Sequence, residues 1–261
     1  MRPTRAARVR ESVGVLTSFL VPILLSACAR PTPQPLTIAA AASLAPVFDE
    51  LAPELERQLG APVTFSYGST ANLAEQIRNG APFDVLAAAD AEHVDRLIAE
   101  GLLEAGSRSV FAHGRLVLAW PADSTIELRS LEDLLDPAVG HLALANPEFA
   151  PYGRAARQAL ERSSLWTELQ PRLIYSENVR DAGQLVFSGN ADAGLLAATI
   201  ALSLDLPSLE VPAQLFDPIE HVAAARPHGE NHQAALEFLD FLHAAQSAAA
   251  LESFGLSPLD G

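Results

Sequence analysis

The sequence predicts an α/β protein built as two lobes hinged like a clamshell around a ligand cleft. Three observations lead there. Short apolar runs such as Leu36–Ala42 and Leu142–Ala145 read as strands buried on both faces, as in a parallel sheet. Helical stretches with apolar residues at three- and four-residue steps follow them. This strand–helix unit occurs on both sides of a strand-like segment at Val110–Trp120, and further strands at Glu210–Phe216 and His221–Ala225 lead back. Two lobes of strand–helix units, joined by more than one crossing strand, place a ligand between them.

The first unit opens after the proline-rich PTPQP with the strand Leu36–Ala42. The period then changes at Ser43. Leu44, Val47, Phe48, Leu51, Leu55 and Leu59 form one face of a helix, and Asp49, Glu50, Glu54 and Glu56 the other. Ser43 is thus predicted at the N-cap of a helix leaving the carboxyl end of a strand. Free N–H groups, a hydroxyl and the positive end of the helix dipole meet there. That is either a plain cap or an anion site. In the second unit the strand Val63–Tyr67 breaks at Gly68-Ser69-Thr70, and Leu73 and Ile77 begin a helix. Glycine permits close backbone approach and two hydroxyls follow it, so the same chemistry recurs at the same place. The third unit has Asp84–Ala89 as strand, Asp90 as N-cap and a helix over Ala91–Glu100 with Val94, Leu97 and Ile98 inward. An acidic cap occupies that helix end, so no anion is placed there.

Beyond the crossing, Leu131–Leu135 reads as a short helix stopped by Asp136-Pro137. Leu142–Ala145 is a strand, Asn146–Pro151 a loop, and Tyr152–Arg162 a helix with Ala155, Ala159 and Leu160 inside. Leu173–Tyr175 is a strand, Val179–Phe187 a helix and Asp192–Ala197 another buried strand. Helices over Asn231–Ala244 and Gln246–Phe254 close the chain. The boundaries that follow are 36–116 with 219–261 for the first lobe and 117–218 for the second.

The N-terminus reads as a targeting segment over residues 1–27. Arg2, Arg5, Arg8 and Arg10 form a basic region marred by Glu11, and Val13–Leu25 an apolar core too short to span a bilayer. It ends in Leu25-Ser26-Ala27-Cys28, and Cys28 is the only cysteine. This ending resembles the lipobox of bacterial lipoproteins, which implies that Cys28 is acylated and that residues 28–35 are an extended tether. An ordinary signal peptide cut nearby is the alternative. Without residues 1–27, which carry four arginines and one glutamate, 13 basic and 31 acidic residues remain, a formal charge of −18. Such a surface repels nucleic acid and anionic lipid, and local dipoles must hold any bound anion against that field.

Five segments carry a family resemblance: AAASL at 40–44, GSTANLAEQI at 68–77, GAPFDVLAAAD at 80–90, NPEFAPYGRAA at 146–156 and ENVRDA at 177–182. In this order they resemble the molybdate-binding proteins of bacterial ABC importers, in register from about Leu36 to Phe254. The resemblance implies a periplasmic-binding-protein (type II) fold that closes on tetrahedral molybdate or tungstate, with no cofactor and no catalysis. It implies a monomer outside the cytoplasmic membrane, with the importer's permease and ATPase as partners. It implies four neutral donors: the hydroxyls of Ser43 and Thr70 and the backbone N–H groups of Tyr152 and Val179. Some members add a tyrosine hydroxyl at the position aligned with Ala197, where alanine offers no donor; the Tyr152 hydroxyl is a substitute to consider. Sulfate as the ligand, or a sensor lipoprotein without a transport role, are the alternatives.

Arg180 sits between Glu177 and Asp181, which favours a solvated or ion-paired role over that of counter-ion, and Glu177 is expected to face solvent. Rigid N–H and O–H donors select by cavity size, whereas a flexible arginine accepts sulfate and phosphate too. A serine hydrolase is disfavoured by the absence of a G-x-S-x-G elbow. His228 and His232 with Glu230 form an H-x-x-x-H pair, but in a loop-like PHGEN context that does not bring both rings to one face.

Overall fold

In the computed structural model, residues 34–259 are described. The targeting segment 1–27, Cys28 and most of the proposed tether lie outside them. The strands are β1 (Leu36–Ala41), β2 (Val63–Gly68), β3 (Val85–Ala88), β4 (Ser109–Gly114), β5 (Leu116–Ala119), β6 (Leu142–Ala145), β7 (Leu173–Ser176), β8 (Ala193–Ala197), β9 (Ser208–Glu210), β10 (Ile219–Ala225) and β11 (Ser257–Pro258). The helices are α1 (Ala45–Leu59), α2 (Thr70–Arg78), α3 (Ala91–Ala99), α4 (Pro151–Arg162), α5 (Trp166–Leu169), α6 (Val179–Phe187), α7 (Ala198–Ser203), α8 (His232–Leu242) and α9 (Ala245–Ser253).

Two mixed sheets result. One runs β11-β4-β10-β3-β1-β2 and the other β7-β6-β8-β5-β9. β1 lies parallel between β2 and β3, and β6 lies parallel between β7 and β8. These strands are apolar runs because helices cover both faces. On α1, Val47, Phe48, Leu51 and Leu55 are buried, each stabilising by roughly 1.5–3 kcal/mol relative to exposure. Phe48 meets Phe65, Phe111 and Phe238 with ring centroids 5.5, 6.4 and 5.7 Å away, which ties α1 to its sheet and to α8. α1 ends where Gly60 takes a left-handed φ of 63°, a conformation that costs glycine nothing.

The structure corrects four local expectations. Val110–Trp120 is not one strand: it splits at Arg115 into β4 and β5, which belong to different sheets. The chain therefore crosses between lobes at one residue and returns between β9 and β10. Glu210–Phe216 is not a strand beyond Glu210. Pro212 has no N–H for a ladder, and a 3-10 turn, Ala213–Leu215, follows. Leu131–Leu135 forms only a 3-10 turn, Glu132–Leu135. Ser43 is not a helix cap: it lies inside a 3-10 turn, Ala42–Leu44, and α1 starts after it at Ala45, with Pro46 in the first turn. The cap of α3 is as expected, with Asp90 Oδ1 accepting from the His93 N–H at 3.0 Å.

Candidate functional site

The strand-to-helix turns of both lobes converge on one small cavity, of about 10 Å3 for the centre of a water-sized sphere. Ser43, Thr70, Tyr152 and Val179 all line it. No lining residue is charged. A space this small holds a ligand of few heavy atoms and is far below that of pockets for drug-sized molecules.

Each donor is positioned by a local cause. Ser43 and Thr70 are buried, 1% and 0% exposed. Thr70 opens α2, and its Oγ1 accepts from the Ala89 N–H at 3.1 Å, so its own proton is free. Tyr152 is the second residue of α4, and Pro151 before it brings no N–H. The N–H groups of a first helical turn have no partner within the helix. Next to Tyr152, a Cβ on Gly153 would lie 2.2 Å from the Ala145 carbonyl oxygen. Glycine there lets the α4 N-terminus sit down on the end of β6. At α6, the Asn178 side chain accepts from the N–H groups of Arg180 and Asp181 at 3.0 and 3.1 Å. Val179 is left as the open N–H of that turn.

Bonds between the lobes close the cleft beside the cavity. Arg154 on α4 donates to Asp90 Oδ2 at 2.6 Å. Asn72 on α2 donates to Glu177 Oε1 at 3.0 Å, and the Ala71 N–H to the Phe149 carbonyl at 3.2 Å. Thr199 on α7 donates to the Ser43 carbonyl at 2.7 Å. Burial works to raise the Asp90 pKa. Hydrogen bonds from the His93 side chain and N–H, with the charges of His93 and Arg154, outweigh it and hold the carboxyl below its ordinary value.

Residues 36–257 match the family of bacterial extracellular solute-binding proteins. The chain is 32% identical over 235 residues to the molybdate-binding protein ModA of Azotobacter vinelandii, covering 88% of this chain and 92% of the relative. It is 31% identical over 219 residues to ModA of Rhodobacter capsulatus, covering 82% and 86%. Among solved structures, the Azotobacter vinelandii periplasmic molybdate-binding protein superposes with a TM-score of 0.80 at 29% identity, covering 85% of this chain and 98% of that one. The chain belongs to the bacterial extracellular solute-binding protein family.

Ala197, where the resemblance led a binding tyrosine to be expected in other members, stands at the end of β8, fully buried and not part of the cavity lining. The Tyr152 hydroxyl points elsewhere. A Cβ on Gly114 would lie 2.2 Å from it and 3.0 Å from His221 Cε1, and neither Gly114 nor His221 lines the cavity. Burial pushes the Tyr152 phenol well above its ordinary pKa, while the nearby Ser43 hydroxyl and Arg115 pull it down. Tyr152 Oη has no hydrogen-bond partner among the described residues.

Ser69, the N-cap of α2 and the other hydroxyl of the Gly68-Ser69-Thr70 turn, lines the cavity with its Oγ buried and unpartnered among the described residues. Two further residues were missed from sequence. Thr199 and His221 touch Ser43 from 156 and 178 residues away, and nothing local in the sequence marks them. Arg180 is exposed and outside the cavity, and Glu177 is exposed but engaged by Asn72. His232 turns to Glu104 and to the Arg226 carbonyl rather than to His228, and among the described residues no metal-ligating cluster is found. No described helix is long and apolar enough to cross a membrane.

Proposed function

We propose that this protein binds molybdate, and tungstate with it, outside the cytoplasmic membrane and delivers the ion to an ABC importer. The observation that carries the reading is one cavity, small and free of charged side chains, ringed by hydroxyls and open helix N–H groups from both lobes. Such groups bind an anion through local dipoles, and their fixed positions select by radius. Relatives named for molybdate binding, at 32% and 31% identity over most of the chain, support the same ion. Capture and release require no covalent step, and the importer's permease and ATPase are the partners. The protein acts as a monomer tethered by an acylated Cys28, a reading that rests on the Leu25-Ser26-Ala27-Cys28 ending.

Isothermal titration with molybdate, tungstate, sulfate and phosphate tests the ligand. One-to-one binding of the first two and much weaker binding of sulfate is the expected result. Equal affinity for sulfate would move the assignment to a sulfate importer, and no oxyanion binding would remove it. For the anchor, Cys28→Ala is expected to release the protein from membranes or stall its processing; unchanged membrane association would leave plain secretion.

A further inference from the structure

Ser43 has a neighbour that an oxyanion site does not by itself call for. His221 stands at an irregularity of β10: it pairs with Ala112, while Val222 pairs with Val110, so Phe111 is an extra residue in β4. Such bulges re-aim side chains beside binding sites. The His221 ring is fully buried and packs between Phe111 and Tyr152, at centroid distances of 5.9 and 6.1 Å. Its Nε2 lies 3.2 Å from Ser43 Oγ, and its Nδ1 has no partner among the described residues.

The two neutral tautomers have opposite consequences here. With hydrogen on Nδ1, that N–H is buried without an acceptor, and Ser43 must give its single proton to Nε2. With hydrogen on Nε2, the ring donates to Ser43 Oγ and the serine proton is free for the cavity. What remains unpartnered is then a bare Nδ1 lone pair. Orphaned buried donors are the rarer and costlier defect, so the network selects hydrogen on Nε2. Thr70 is set the same way from another source, because the Ala89 N–H already occupies its oxygen.

We propose that His221 is a positioning residue that occupies an acceptor site of the Ser43 hydroxyl and turns its proton toward the cavity, so that the cleft favours oxyanions bearing no proton over those that keep one. The disfavoured class is hydrogen phosphate and hydrogen arsenate, whose O–H must compete for the hydroxyl oxygens of Ser43 and Thr70, each already accepting one hydrogen bond. This rests on the oxyanion reading above and adds a residue outside the cavity that fixes its polarity.

Nitrogen-15 NMR of the unmodified protein near neutral pH reads the tautomer directly. Hydrogen on Nε2 and a bare Nδ1 are expected, with and without molybdate; the reverse would overturn the proposal. Competition titrations supply the second arm. His221→Phe is expected to weaken molybdate by about tenfold, the worth of one ordinary hydrogen bond, and to narrow the preference for molybdate over hydrogen arsenate. His221→Gln, whose amide donates from a similar place, should keep that preference. A folded phenylalanine variant with unchanged affinity and preference would also overturn it, and if that variant does not fold, the tautomer decides alone. No oxyanion binding by the parent would remove the oxyanion reading itself, whereas binding with hydrogen on Nδ1 removes only the role of His221.

Discussion

The two lobes meet the cavity with different chemistry. The first presents side-chain hydroxyls, from Ser43, Ser69 and Thr70, and the second presents the backbone N–H groups of Tyr152 and Val179. A hydroxyl can be removed by one substitution and can be turned by its neighbours. A backbone N–H is supplied by almost any residue, and what matters is the geometry that aims it. The identity of the first half is therefore written at the contact residues. That of the second is written beside them, in Pro151, Gly153 and Asn178.

Gly153→Ala is expected to have the largest effect. Its Cβ would meet the Ala145 carbonyl oxygen and carbon at 2.2 and 2.8 Å, both backbone, so the α4 N-terminus must lift. Overpacking of this kind costs about 1–3 kcal/mol or more in stability, and molybdate affinity should fall further than for any alanine variant of the first lobe. Titration and melting curves check both, and a variant that binds like the parent would show that α4 holds no ligand. Ser43→Ala and Thr70→Ala come next, each weakening molybdate by about 1–3 kcal/mol, as for a donor lost to a charged acceptor. Thr70→Ala should also cost stability, because it strands the buried Ala89 N–H, while Thr70→Ser should be mild. If both alanine variants bind normally, the hydroxyl half is not the site.

Smaller and graded is the effect of pH. Burial first, then His113, push His221 down to about 3, with Asp90 acting the other way. The folded protein thus holds this ring neutral where the unfolded chain protonates it below about 6.5. The resulting stability is fully present above that value and is lost as pH falls from there toward 3. Melting temperature against pH should show this slope, and His221→Gln should flatten it. The smallest effects are expected for Tyr152→Phe and Arg180→Ala. Tyr152 contributes its N–H, and its hydroxyl is an orphan whose removal is neutral or slightly stabilising. Arg180 is exposed and outside the cavity lining, so molybdate affinity should change little with its loss, and little with salt because neutral donors hold the ion. A steep fall with salt would mean that an arginine carries the site.

What could be read from the sequence follows the same division. The buried strands and amphipathic helices were legible because their periods differ and because helices on both faces leave β6 and β8 without a polar residue and β1 with Thr37 alone. The four donor positions came from family segments and from serine, threonine and glycine at period changes. Illegible were features set by distant partners. Ser43 sits in a 3-10 turn, since Pro46 favours the first turn of α1 and delays the helix past it. The split at Arg115 could not be seen, because Val110–Trp120 is apolar throughout except near that point, and only sheet membership separates its halves. Thr199 and His221 reach Ser43 across the fold through β10 and α7, which no local pattern could announce.

The bonds from Arg154 to Asp90, Asn72 to Glu177 and Ala71 to Phe149 close the cleft with none of these residues touching the cavity. Lying outside the cavity, they should add to how long an ion stays more than to which ion enters. An ion leaving through the cleft must wait for these bonds to part, so dissociation is expected to be timed by the opening of the lobes about their two chain crossings rather than by the strength of any one donor. Loosening Arg154 would shorten residence in a molybdate chase while leaving the ranking of oxyanions as it was. Whatever draws the two lobes apart sets the moment of delivery.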